Sequence, residues 1–241
     1  MEPTKLLYLE DFNLLNNKAK VIDIQKENDK TIVILDQTIF YPQGGGQPYD
    51  QGIIQNQNGK FNVEQVRFVD GIVKHIGSFI KGEFKINDQV ECLVDSQRRK
   101  FHSRLHSAGH VIDMAVCELK LPWIPGKGFH FPEGPYVEYK ANIENLDKEN
   151  LIKQIETLCN KFIQEGRKTK LVFMDKEQMK SVCRFVSENI PENKPARVVM
   201  YGDFGVPCGG THVNDISEIG TLKIRKIKTD KENIRVAYEI S

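Results

Sequence analysis

The sequence predicts an α+β protein in which an N-terminal small β-barrel or sandwich is followed by helices packed on an antiparallel sheet. Three features carry this. Short β-branched runs fill Lys5 to Val94, a helical apolar period begins after Asp95, and a second striped helix lies among further strand-like runs.

Taken in order, KVIDIQ, TIVILD, GIIQN, FNVEQVRFV, GIVKHIG and QVECLVD alternate or are rich in Val, Ile and Phe, with turn residues between them. Strands this short and this closely spaced suit a small barrel or sandwich. Hairpin turns are expected at Gly52, at Asn56 to Gly59, at Asp70-Gly71 and at Gly77. Asp95 or Ser96 can cap the first helix, whose apolar positions Leu105, Ala108, Val111, Ile112 and Ala115 recur at three and four residues. The change of period sets the expected boundary, with a barrel domain at 1–94 and a second domain at 95–241. Leu151, Ile152, Ile155, Leu158, Cys159, Phe162 and Ile163 form the apolar stripe of another helix, with Lys and Glu elsewhere. Its partner sheet is expected from KLVFMD, RVVMYG, TLKIRKIK and IRVAYEI, the last two separated by a polar turn at Asp230 to Asn233.

Composition narrows the function classes. With 34 Lys and Arg against 33 Asp and Glu, the formal charge is +1, so a nucleic-acid partner must be met by a local basic surface. A hydrophobic content of 39% with 28% charged residues excludes collagen-like, coiled-coil and disordered classes. No apolar run approaches the roughly 20 residues that span a bilayer. MEPTKLLYLEDF lacks the cationic start and apolar stretch of a secretory signal, so a cytoplasmic location is expected. Cys92, Cys117, Cys159, Cys183 and Cys208 are odd in number and scattered, which argues against a disulfide framework. Only Cys208 has metal-capable neighbours in sequence.

His102, His106 and His110 sit at four-residue spacing on the first helix. Residues at i and i+4 project from one face, so an adjacent pair can reach one cation, while all three drift too far around the helix. About a hundred residues later, Cys208-Gly-Gly-Thr-His212 puts a thiolate and an imidazole on a loop that glycines allow to turn tightly. Two histidines and a Cys/His pair make a borderline-soft set that suits zinc. The plainer reading is a solvated helix face near Arg98, Arg99, Lys100 and Arg104, with a buried thiol at Cys208; the two halves together favour the metal. Ser103 and Ser107 follow His102 and His106, where a zincin protease needs a glutamate after its first histidine.

With H-S-A-G-H at 106–110, C-G-G-T-H at 208–212 and F-Y-P-Q-G-G-G-Q-P-Y-D at 40–50, the chain resembles the alanyl-tRNA editing proteins, the AlaX family, freestanding relatives of the editing domain of alanyl-tRNA synthetase. G-K-G-F-H-F-P-E-G-P-Y-V-E-Y and R-V-V-M-Y-G-D-F-G-V-P-C-G-G-T-H-V extend the likeness over nearly the whole length, in the manner of the medium-length form. The resemblance implies a β-barrel joined to an α+β editing domain shared with threonyl-tRNA synthetases. It places the metal ligands at His106, His110, Cys208 and His212 and leaves His102 outside the set.

The implied activity is that of a zinc-dependent aminoacyl-tRNA deacylase, a carboxylic ester hydrolase acting at the acceptor end of tRNA(Ala), with serine first and glycine second as the wrong amino acid. A synthetase pocket for alanine rejects a smaller residue, or one with an added hydroxyl, by only about 100-fold or less, so a second site must remove the errors. The rival from another class is a tRNA-binding module with a structural zinc and no turnover. Four protein ligands close a tetrahedral ion. Three readings follow: the coordination expands, one ligand is loose, or zinc shapes the site while another group orients water. No carboxylate is marked as a general base.

Gln43, Gly44, Gly45, Gly46 and Gln47 read from spacing as a turn stiffened by Pro42 and Pro48, and the resemblance assigns them to the border of the editing pocket. The segment lacks the Lys-Ser/Thr ending of a phosphate-binding loop, which argues against ATP. Lys127 is the candidate contact to the acceptor end. For the tRNA body, Arg98, Arg99, Lys100 and Arg104 are candidates, as are Lys223, Arg225, Lys226 and Lys228, although an ordinary solvated surface explains any one of them equally. Alternation puts Lys223, Arg225 and Ile227 on one face of that late strand and Ile224, Lys226 and Lys228 on the other. Trp123 reads as core, His130 as a satisfied structural histidine, and His75 as barrel surface.

Overall fold

The computed structural model describes residues 1–141, 147–188, 190, 192, 195–230 and 232–241. The chain divides into two compact units, Met1–Gly44 with Pro48–Phe101, and Gly45–Gln47 with His102–Ser241. Three residues of the glycine-rich segment thus go with the second unit, and the division falls inside the first helix.

The first unit holds β1 (Lys5–Leu6), β2 (Asn16–Glu27), β3 (Lys30–Leu35), β4 (Gln37–Thr38), β5 (Gly52–Gln55), β6 (Gly59–Val69), β7 (Ile72–Gly82) and β8 (Gln89–Val94). The six runs read from the sequence become, one for one, the six strands of a closed barrel in the order β2-β3-β7-β6-β5-β8, with β8 returning to β2. Closure removes the sheet edges, and the inward positions supply a core that includes Val21, Val33, Ile54, Phe61, Val66 and Val73. Asn56 makes its turn by accepting from the Asn58 and Gly59 amides at 2.8 and 2.9 Å. Asp70 and Gly71, at φ of 50° and 83°, form the β6–β7 turn with the left-handed pair that a tight hairpin requires.

Gly52 and Gly77 are corrections, because both lie within strands. A Cβ on Gly77 would fall 1.8 Å from the Asn62 carbonyl oxygen, and one on Gly52 would fall 2.1 Å from that of Leu93. These glycines allow neighbouring backbone to approach closely and do not turn the chain. His75 is a second correction. It shares the inward face of β7 with Val73 and is fully buried, with Nε2 at 2.8 Å from Thr38 Oγ1 and Nδ1 at 2.9 Å from the Val33 carbonyl. Burial pushes its pKa down to about 4. Arg99, a candidate for RNA, is also buried. It ion-pairs with Asp50 and donates to the carbonyls of Phe12 and Ile39 at 2.7 Å each.

Helix α1 (Ser96–Glu118) is capped by Asp95, whose Oδ1 accepts from the Gln97 and Arg98 amides at 3.0 Å each. The second unit continues with β9 (Ile124–Phe129), β10 (Tyr136–Lys140), α2 (Lys148–Glu165), β11 (Thr169–Met174), α3 (Lys176–Val182), β12 (Ala196–Tyr201), β13 (Phe204–Pro207), β14 (Leu222–Asp230) and β15 (Asn233–Ile240). The fold is α+β, a barrel followed by helices and antiparallel sheets. The four runs expected to share one sheet divide between two. β14 and β15 join β10 and β9, whereas β11 and β12 join β13. Lys231, in the expected β14–β15 turn, lies outside the described residues.

Asp147 caps α2, and Leu151, Ile155, Cys159, Phe162 and Ile163 are its buried stripe. They pack with Leu105, Val111 and Ile112 of α1 and with Ile224, Ile227 and Val236 of the four-stranded sheet, in one core that also takes Trp123. A register shift between Ile224 and Lys226 breaks the alternation expected in β14, so Ile224 and Ile227 are both buried while Arg225 and Lys226 are exposed. No helix among the described residues is long and apolar enough to cross a membrane.

Candidate metal centre

The helical spacing brings His106 and His110 together on a buried stretch of α1, with ring centroids 5.0 Å apart. The other two candidates follow β13. Arg197 on β12 shapes their loop by donating from Nε to the Cys208 carbonyl at 2.8 Å and from a terminal nitrogen to the Gly210 carbonyl. The Gly210 amide points back to Cys208 Sγ at 3.4 Å. Glycine is required at 210, since a Cβ there would lie 2.2 Å from His106 Cε1.

The result is a cluster of one ligand atom each from His106, His110, Cys208 and His212, all within 4.8 Å of one another. His106 Nε2 is 3.4 Å from Cys208 Sγ, and the His212 ring is centred 4.6 Å from that of His106. His110 Nε2 is buried and makes no hydrogen bond, an arrangement that costs free energy unless a cation takes the lone pair. His102 is buried on the same helix but is not one of the four. The cluster could hold a metal ion.

The outer partners face the ligands' far nitrogens. His106 Nδ1 donates to Gln47 Oε1 at 2.8 Å. His110 Nδ1 donates to Asp113 Oδ2 at 3.3 Å, while Tyr139 donates to the other carboxylate oxygen at 2.6 Å. His212 Nδ1 lies 3.0 Å from the Tyr201 hydroxyl and 3.4 Å from that of Ser107. All three imidazoles are thereby turned with Nε2 available, the usual outer layer of a metal site.

Burial, followed by the neighbouring imidazoles, holds His106 well below the ordinary histidine range, and burial with the charges of His110 and Arg197 does the same for His212. Both are neutral, as ligands must be. Burial alone would raise Cys208, but the neighbouring His110, the Gly210 amide and the charge of Arg197 outweigh it and lower the thiol's pKa. For His110, burial is overcome by Asp113 and Cys208, which raise it to about 9.

His130 is a satisfied structural histidine. Its ring stacks on His106 with centroids 4.5 Å apart, and its Nδ1 lies 2.7 Å from the Tyr238 hydroxyl. Gln47 is fully buried, whereas Gln43 and Lys127 are exposed, Lys127 on β9. Asp113, Tyr139, Tyr201, Ser107 and Arg197 were not singled out by sequence. Only Asp113 carried a signal there, three residues after His110 on the same helix.

A family model described as "tRNA synthetases class II (A)" matches residues 7–98, and one described as "Threonyl and Alanyl tRNA synthetase second additional domain" matches residues 196–236, which include the cysteine loop. The chain is 34% identical over 226 residues to the alanyl-tRNA editing protein AlaX-M of Pyrococcus horikoshii, covering 91% of this chain and 89% of that protein. The chain belongs to the alanyl-tRNA editing protein family. AlaX-L of the same organism is 31% identical over 95% of this chain, and the alanine–tRNA ligase of Archaeoglobus fulgidus is 32% identical over 96% of it. The chain spans 55% of AlaX-L and 25% of that ligase.

Proposed function

We propose that this chain is a trans-editing hydrolase that deacylates mischarged tRNA(Ala), with seryl-tRNA(Ala) as the first substrate and glycyl-tRNA(Ala) as the second, and that it does so in the cytoplasm at a zinc site formed by His106, His110, Cys208 and His212. One observation carries the reading: in a member of this family, two stretches about a hundred residues apart bring four ligand atoms within 4.8 Å of one another, on buried or half-buried side chains.

Three imidazole nitrogens and a thiolate are the donors that suit zinc. A zinc ion held there supplies Lewis acidity toward an ester carbonyl or an attacking water. The chain's own residues do the rest. Asp113 and Gln47 hold the His110 and His106 rings by Nδ1, and Arg197 curls the loop that presents Cys208. A proton and a cation compete for the same imidazole or thiol lone pair, so loading weakens as pH falls. Gln43, Gly44, Gly45, Gly46 and the exposed Lys127 are assigned to the charged acceptor end. Alanine is spared because a pocket that hydrogen-bonds the serine hydroxyl leaves its own polar groups unpaired with alanine.

The test is loss of the aminoacyl ester when the protein is incubated with serine-charged and alanine-charged tRNA(Ala), with and without a chelator. Rapid loss of the seryl ester alone, abolished by chelation and restored by zinc, is the expected result. Binding without hydrolysis would make the chain a tRNA-binding module with a structural ion.

A further inference from the structure

Tyr49, just beyond the glycine-rich segment, carries two arginines on its ring. The guanidinium carbon of Arg98, in the first turn of α1, lies 5.4 Å from the ring centroid, and that of Arg67, on β6, lies 5.5 Å from it. All three residues are half-buried and belong to the first unit. Each arginine is tethered by a neutral acceptor. Arg98 Nε donates to the Tyr49 carbonyl at 3.0 Å, and Arg67 Nε donates at 3.0 Å to the Gln65 side-chain oxygen in the amide orientation that satisfies both groups.

These tethers fix the guanidiniums without neutralising them. Among the described residues neither has an ion-pair partner, whereas Arg99, next in the chain, is paired with Asp50. Two further carboxylates close in sequence are also engaged elsewhere, Asp95 by the helix amides and Glu64 by Lys30 and Ser78. Lys74 stands opposite Arg67 across β6 and β7 and adds a third positive charge, where like charges repel. Both terminal nitrogens of Arg98 and one of Arg67 make no hydrogen bond among the described residues, and such donors suit phosphate oxygens. The Gln43 amide donates to the Val66 carbonyl at 3.3 Å, which ties the exposed start of the glycine-rich segment to the residue beside Arg67.

We propose that Arg67 and Arg98, poised on Tyr49 with Lys74 beside Arg67, form a clamp for the phosphodiester backbone of the bound tRNA. The proposal rests on the tRNA-deacylase reading above and adds to it a contact surface on the barrel. Such contacts set position and carry no base information, so the clamp holds RNA of any sequence.

Binding of uncharged tRNA(Ala) to the full chain, followed by fluorescence anisotropy over a potassium chloride series, tests the clamp. Each phosphate contact contributes about 0.7 to 0.9 to the slope of log affinity against log salt. Arg67→Gln and Arg98→Gln are each expected to lower that slope by about one contact and to weaken binding about 5- to 8-fold near 0.1 M salt. Lys81→Gln makes the same charge change at the exposed far end of β7 and should leave the slope as it is. An unchanged slope in both arginine variants, or an equal drop in Lys81→Gln, overturns the clamp and leaves the deacylase reading standing. A wild-type chain that neither binds nor deacylates the tRNA removes both. Should the arginine variants not fold, Lys74→Gln removes a charge and leaves the ring and its two arginines in place, and an unchanged slope there overturns the clamp.

Discussion

Gly210→Ala probes the metal centre with one methyl group. Position 210 does not require a left-handed backbone, so alanine meets only a steric obstacle. That obstacle is severe, because the added Cβ would lie 2.2 Å from His106 Cε1, 2.3 Å from its Nδ1 and 2.9 Å from Gln47 Oε1. Ordinary contact begins near 3.4 Å, so the ring or the loop must retreat by about 1.2 Å. The ring has little room, since His130 stacks on it at 4.5 Å, and a Cβ on Gly109 or Gly128 would already collide with His130 at 2.4 Å. Metal–ligand distances tolerate only about 0.2 Å. A shift several times larger removes His106 or Cys208 from the set, and zinc affinity should fall by at least about 100-fold, which is about 2.7 kcal/mol. Chelator competition reads this directly. Gly134→Ala is the control, since its nearest neighbour would be Arg225 Nη2 at 3.7 Å. Undiminished zinc binding in Gly210→Ala would refute the packing argument and, with it, the closeness of the loop to the helix.

Four further outcomes follow. Cys208→Ala should lose most bound zinc and most deacylation while the barrel keeps its strand signature by circular dichroism, and replacing His102 should cost much less metal than replacing His106 or His110; the reverse order would mean the wrong pair. The depressed pKa of His75, about 4 against an ordinary 6.5, means that its stabilising neutral form is fully present above pH 6.5 and lost as pH falls toward 4, a contribution of about 3 kcal/mol. Urea unfolding across that window should show a steeper pH dependence for wild type than for His75→Gln, and equal slopes would contradict the assignment. Asp50→Ala removes the carboxylate that Arg99 and the Tyr41 amide share, leaving a buried guanidinium uncompensated. A loss of about 3–5 kcal/mol is expected by chemical denaturation, and a change under 1 kcal/mol would show that the pair is not buried as described.

The six barrel strands and both long helices were legible because hydrophobic period is a local property, readable within one run. An adjacent histidine pair on α1 was legible for the same reason, since four-residue spacing on a helix places two rings on one face whatever surrounds them, and Cys208 with His212 stood out as a second pair on a loop that glycines let turn. The family motifs then selected His106 and His110 and left out His102. Strand pairing was less accessible. KLVFMD and TLKIRKIK look alike as runs, yet they enter different sheets, and the register shift in β14 exchanges the facing of its later residues.

His75, Arg99 and Gln47 were misjudged or left open because a polar side chain in a core is admitted only by partners that satisfy it, and those partners are remote in sequence. Arg99 meets Phe12 and Asp50, and Gln47 meets His106 and Thr211. Sequence alone thus determined which stretches become strands and helices and which side chains could bind a metal. The tertiary structure alone decided that Gln47 orients His106, because that hydrogen bond needs an acceptor placed to within a few tenths of an ångström by segments more than fifty residues apart.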